Sequence, residues 1–178
     1  MADRGLRGVL LVGGASTRFG SPKALARFRG ESFAERAYRV IDEAFGEPIV
    51  VGKSADALQL PFPVLDDGHH HRASIVGVAA GIRLAGSEVT VVVPTDMPFL
   101  TVAFLRQLAD AVGEFDVAAP ETGPLPGAYR RSVLPVLERQ IEAGTYTLHR
   151  ALEGLDVAIV PGHLELLRNV NTLEDLPV

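Results

Sequence analysis

The chain contains no cysteine, which excludes disulfides, thiolate metal sites and cysteine nucleophiles. It also lacks a basic run. Seventeen Lys and Arg stand against 22 Asp and Glu, for a net charge of −5. The cationic footprint by which proteins hold duplex nucleic acid is therefore missing, and a polyanionic ligand has to meet cations gathered locally. No apolar run approaches the roughly 20 residues of a membrane span. The apolar stretch 9–12, behind Arg4 and Arg7, is too short for the core of a secretory signal. These absences predict a cytoplasmic chain that engages neither nucleic acid nor membrane. What is present is ordinary for a globular protein: 178 residues, 47% hydrophobic and 22% charged. That is enough for one domain, residues 1–178, with a substantial core.

Apolar runs and helical patterns alternate along the chain. Residues 9–12 read as a buried strand closed by Gly13-Gly14. Ser32 and Glu35 have capping-box spacing ahead of a helix to about Phe45, stopped by Gly46. Residues 49–51 and 62–65 read as strands, 74–85 as a helix, and 89–93 as the strongest strand of all. Thr101 caps a helix running to about Val112. Weaker strands are expected at 117–119 and 127–129, helices at 133–143 and 148–155, a last central strand at 157–160, and a short helix from Thr172. The alternation predicts an α/β fold, a mostly parallel sheet covered on both faces. Ligands of such sheets bind beyond the carboxyl ends of the strands. The stretches from Gly13, at Gly52-Lys53, at Asp66-Asp67 and at 94–99 should therefore converge.

The first turn is the most informative. Glycines let backbone N–H groups approach an anion closely. Arg18 can fork onto phosphate oxygens and Lys23 adds a compact charge. The turn is neither a P-loop, since Gly20 precedes Ser21, nor a dinucleotide fingerprint, since Gly13 adjoins Gly14. A plain glycine-rich surface loop is the alternative. A triphosphate suits the combination of strand, turn and two cations.

Asp96 follows the best strand in Pro94-Thr95-Asp96-Met97-Pro98-Phe99. A carboxylate there can hold Mg²⁺, which needs only one or two carboxylates plus substrate phosphates, or it can cap a turn before Pro98. Asp66 and Asp67 can accept hydrogen bonds from a base or ribose, or lie solvated in a loop. Asn169 and Asn171 sit two apart and share a face if extended. Each offers a donor and an acceptor to a polar heterocycle, although a helix cap at Asn171 or Thr172 explains one of them. His69, His70 and His71 read as a polar loop, because three adjacent histidines cannot converge on one metal from a regular element. Tyr129 and Tyr146 read as partly buried packing residues, either of which can stack on a flat ring.

The pattern Leu11, Gly13, Gly14, Ser16, Arg18, Gly20, Pro22, Lys23 resembles the nucleotide-binding signature of the molybdenum cofactor guanylyltransferases. These belong to the Rossmann-like nucleotidyltransferases. The resemblance implies a three-layer α/β/α sandwich like that of the nucleotide-diphospho-sugar transferases. It also implies a loop of Leu11, Val12, Gly13, Gly14 and Ser16 around GTP, with Lys23 neutralising phosphates. The family's Asp-x-Pro is matched by Asp96, implying a Mg²⁺ and nucleotide ligand, and its GTP-contacting aspartate by Asp67. Its C-terminal signature near the pterin is matched by Asn169-Val170-Asn171-Thr172. The chain departs at the family's guanine-side asparagine, where it has Gly52-Lys53 and backbone groups could serve, and at Gly144-Thr145-Tyr146-Thr147, which lacks a charged pair.

The implied reaction is transfer of GMP from GTP to the terminal phosphate of molybdopterin, with Arg18, Lys23 and Asp96 as the catalytic set and Mg²⁺ as cofactor. The expected state is a monomer with at most transient contacts to other cofactor-biosynthesis proteins. The alternatives are a cytidylyltransferase for molybdopterin, a sugar- or polyol-phosphate nucleotidyltransferase, and a nucleotide-binding regulator without catalysis.

Overall fold

The computed structural model describes residues 5–13, 22–162, 164–171 and 175. The chain opens with strand β1 (Leu6–Leu11), then a hairpin of β2 (Arg27–Phe28) and β3 (Glu31–Ser32). Helix α1 (Phe33–Phe45), β4 (Ile49–Gly52), β5 (Leu65–Asp66), α2 (Ser74–Ala85) and β6 (Val89–Pro94) follow. The second half runs α3 (Val102–Ala111), β7 (Val117–Pro120), β8 (Gly127–Arg130), α4 (Leu134–Glu142), α5 (Leu148–Ala151) and β9 (Val157–Val160).

Seven strands form one sheet in the order β5-β4-β1-β6-β8-β7-β9. Only β8 runs against its neighbours β6 and β7; the remaining pairs are parallel. Strand alternation divides the core. Leu10, Val50, Val91 and Val93 pack beneath α1 and α3, while Val9, Leu11, Val51 and Val92 pack beneath α2, α4 and α5. The result is the expected α/β/α sandwich.

Two glycines allow the helices to close on β1 from opposite faces. A Cβ on Gly8 would lie 2.1 Å from Ile41 Cγ2 of α1, and one on Gly81 of α2 would lie 2.8 Å from Val9 Cγ1. The capping box at Ser32 and Glu35 is formed in both directions. Thr101 accepts the N–H of Phe104 as N-cap of α3.

Three expected elements are corrected. The third strand begins at Leu65 rather than Phe62, because Pro61 and Pro63 cannot donate to a ladder; Phe62 instead stacks on Tyr38 at 4.3 Å. The helix expected over 148–155 ends at Ala151, beyond which the backbone bonds tighten to the i→i−3 spacing. The last strand, expected at the centre, lies on the sheet edge beside β7, with Ile159 56% exposed. The helix expected from Thr172 begins outside the described residues. Among the described residues no helix is long and apolar enough to cross a membrane.

Candidate functional site

The four predicted stretches do converge. Beyond the carboxyl ends of β1, β4, β5 and β6 lies a cleft of about 660 Å³. Its lining includes Leu11, Val12 and Gly13 from the first turn, Lys23, Gly52, Asp67, Asp96 and Asn169. Gly14, Ser16 and Arg18 lie outside the described residues. Lys53, in a stretch expected to converge here but given no role of its own, also lines the cleft, as do Arg72, Ser74 and the loop residues 122–125, which were not singled out from sequence as site residues.

One charged cluster joins distant parts of the chain. Lys23 Nζ donates to Asn171 Oδ1 at 2.8 Å and lies 3.5 Å from Asp96 Oδ2. Lys23 starts a short 3₁₀ turn (Lys23–Leu25), and Asp96 sits in the turn that leaves β6. The C-terminal segment is anchored by Val170, which is fully buried with Ala26, Phe28 and Phe33. Its N–H donates to the Asp96 carbonyl at 2.8 Å. Asn169 lines the cleft, and Asn171, outside that lining, reaches Lys23 with its side chain. In this structure the Asn171 side-chain oxygen is engaged by Lys23.

The wall opposite is zipped between residues 52–56 and 66–72. Lys53, 9% exposed, donates to Asp67 Oδ1 at 2.7 Å, to the His71 carbonyl at 2.8 Å and to the His69 carbonyl. Asp66 accepts the N–H groups of Ser54 and Gly68, each at 2.7 Å. These bonds hold its carboxyl at a pKa of about 2, below the ordinary 3.8. The Asp66 carboxylate is thus spent on backbone and is not among the cleft-lining groups. Arg72 pairs bidentately with Asp56, and that hydrogen bond lowers the Asp56 pKa.

The three histidines lie in a loop, as expected, and their rings pack on one another. His70 and His71 rings lie 4.2 Å apart, and His71 packs on Tyr146 at 4.1 Å. Desolvation, then the neighbouring His70, His69 and Lys53, lowers the His71 pKa. Among the described residues no group of three His, Cys, Asp or Glu is placed to hold a metal. Tyr129 is fully buried. Its hydroxyl donates to the carbonyl of Pro124, a cleft-lining residue, and burial raises its pKa.

Residues 8–159 match the profile of the MobA-like NTP transferase domain. A probable molybdenum cofactor guanylyltransferase of Aquifex aeolicus is 31% identical over 173 residues, spanning 94% of this chain and 86% of the relative. The crystal structure of molybdopterin-guanine dinucleotide biosynthesis protein A from Archaeoglobus fulgidus superposes with a TM-score of 0.81 at 27% identity, over 95% of this chain and 94% of that one. A 2-C-methyl-D-erythritol 4-phosphate cytidylyltransferase from Thermus thermophilus shares the fold, with a TM-score of 0.74 at 17% identity over 95% and 94% of the two chains. The sheet order, the cleft at its carboxyl edge and these likenesses agree, and the chain belongs to the MobA-like NTP transferase domain family of nucleotidyltransferases.

Proposed function

We propose that this enzyme transfers GMP from GTP to the terminal phosphate of molybdopterin and releases pyrophosphate. The observation that carries the reading is the Lys23–Asp96–Asn171 cluster at the cleft, which sets an ammonium and a carboxylate side by side where strand ends meet. The Aquifex aeolicus relative is named a probable molybdenum cofactor guanylyltransferase, which supports a guanylyl donor and a molybdenum cofactor acceptor.

An acceptor phosphate oxygen attacks the α-phosphorus, the bond to the β-phosphate oxygen breaks, and pyrophosphate leaves with the electron pair. The acceptor is already an anion, so no strong general base is needed. Catalysis reduces to positioning and neutralisation of charge. Lys23, released from Asn171 and Asp96, meets the phosphates together with Arg18 and the amides of Gly13 and Gly14. Leu11, Val12, Gly52 and Asp67 border the nucleoside, with Ser16 in the phosphate-binding loop, and Asn169 and Asn171 face the acceptor side.

The Asp96 carboxylate, 30% exposed at the cleft, suits Mg²⁺, which asks for one or two carboxylates and takes its other ligands from phosphates and water. Bound there, Mg²⁺ supplies charge neutralisation across the phosphates. The reading carries with it a cytoplasmic monomer with one domain over residues 1–178, acting on GTP and molybdopterin. Contacts with other cofactor-biosynthesis proteins are transient.

Lys53, standing where a guanine-side asparagine is expected, favours one second reading, a cytidylyltransferase with the same chemistry. The test is thermal stabilisation by GTP, CTP, UTP and ATP with and without Mg²⁺, followed by pyrophosphate release on adding molybdopterin. Stabilisation by GTP with Mg²⁺ and pyrophosphate release supports the proposal. A preference for CTP transfers it to the second reading, and no response to any nucleotide refutes both.

A further inference from the structure

Lys53 is a nearly buried cation whose bonding capacity is used up inside the protein. An ammonium has three hydrogens, and those of Lys53 go to Asp67 Oδ1, the His69 carbonyl and the His71 carbonyl. None is left for a ligand, although Lys53 lines the cleft. Asp67 Oδ1 also receives the N–H of His69 at 3.0 Å, so that oxygen is doubly occupied. Oδ2 has no hydrogen bond among the described residues. Asp67 itself lines the cleft.

The backbone fixes the same arrangement, because the Asp67 N–H donates to the Gly52 carbonyl at 3.0 Å. The flanking pairs Asp66 with Ser54 and Arg72 with Asp56 close the wall on either side.

We infer that Lys53 is a positioning residue that ties down one oxygen of Asp67 and presents the other as a single, monodentate acceptor for one N–H or O–H donor of the bound nucleoside. This rests on the nucleotide-binding reading above. A free carboxylate can grip two parallel donors, such as the ring N–H and exocyclic amine of guanine. With Oδ1 held by an ammonium and an amide, that fork is closed. The wall then reads one donor, either an exocyclic amine or a ribose hydroxyl. Lys53 therefore sets which nucleotide feature is recognised without touching the nucleotide.

The experiment measures dissociation constants by calorimetry, on the full chain with Mg²⁺, for GTP, ITP, 2′-deoxyGTP and 3′-deoxyGTP. Should CTP be the nucleotide that binds, the triphosphate of the pyrimidin-2-one riboside, 2′-deoxyCTP and 3′-deoxyCTP take their place. Each analogue removes one donor. The wild type is expected to reject one of them by tenfold or more, the usual consequence of losing a hydrogen bond to a charged group. Lys53→Met frees Oδ1 from the ammonium, so it is expected to change at least one of these ratios threefold or more, as the carboxylate turns or its fork reopens, while leaving the affinity for pyrophosphate unchanged. A merely structural role would weaken all nucleotides together.

Asp67→Asn gives the same test without touching the buried lysine. Its amide oxygen can keep Lys53 while an NH₂ replaces the acceptor, so the ratio for the rejected analogue should collapse. Wild-type ratios in Asp67→Asn, or in a folded Lys53→Met, overturn the inference. So does a wild type that binds its nucleotide but rejects none of the analogues. A wild type that binds no nucleotide refutes the proposed function instead.

Discussion

Replacing Gly13 with alanine separates what the first turn does for the fold from what it does for a ligand. Among the described residues a Cβ at Gly13 meets only Gly52 Cα, at 3.8 Å, an ordinary contact, and the backbone there is not left-handed. Stability should stay within about 0.5 kcal/mol of wild type. The added methyl stands in the lining of the cleft, where the proposed phosphates need the backbone at close range. A tenfold loss of nucleotide affinity is expected, about 1.4 kcal/mol. At a GTP concentration one hundred times the wild-type dissociation constant, the wild type gains about 2.7 kcal/mol and the variant about 1.4. The difference of about 1.3 kcal/mol is a melting shift smaller by about 3–5 °C in a chain of this length. Scanning fluorimetry with and without GTP and Mg²⁺ reads both quantities. A Gly13→Ala protein with the full ligand-induced shift refutes the claim that this backbone approaches the phosphates. A large loss of stability without ligand refutes the geometry.

Other outcomes follow from the same geometry. Gly81→Ala should act on the fold alone: its Cβ would lie 2.8 Å from Val9 Cγ1. Overpacking, partly offset by better helix propensity, should destabilise by about 1–2 kcal/mol and lower the melting temperature by roughly 2–8 °C, with nucleotide affinity kept. Lys23→Met and Asp96→Asn should each cost about 10²–10³ in the rate of pyrophosphate release while the circular dichroism spectrum is unchanged; near-normal turnover in either removes that residue from the proposed chemistry. Asp66, with a folded pKa of about 2 against an ordinary 3.8, contributes stability that is present above the ordinary value and lost as pH falls toward 2. Asp66→Asn should flatten the melting-temperature profile between about pH 4 and 2, and parallel profiles would contradict the bonds to Ser54 and Gly68.

Local rules were enough for much of the fold. The Ser32–Glu35 spacing and Thr101 mark helix starts that form with the expected side-chain bonds, because a cap is an interaction over three residues. The strand read at 89–93 was plain from its run of valines around Thr90, and it forms as Val89–Pro94 with its middle four residues buried. The alternation of elements determined a mostly parallel sheet, and from that followed the edge at which the cleft would open.

Sheet order was not written locally. Residues 157–160 look apolar enough for a central strand, yet pairing with β7 alone puts them at the edge, since neighbours are chosen by non-local packing. The prolines that cut the third strand short were visible, but their weight was decided by which ladder the segment had to join. Partnership was decided by tertiary structure throughout. Asn171 meets Lys23 across 148 residues, and Lys53 meets Asp67 and two histidine carbonyls across 14 to 18. Asp66 and Asp67 are adjacent and chemically identical, yet one is consumed by backbone amides and the other lines the cleft. Sequence determined which charges were available; the close approach of chain segments, and the need to pair charges taken out of water, determined which of them face a ligand.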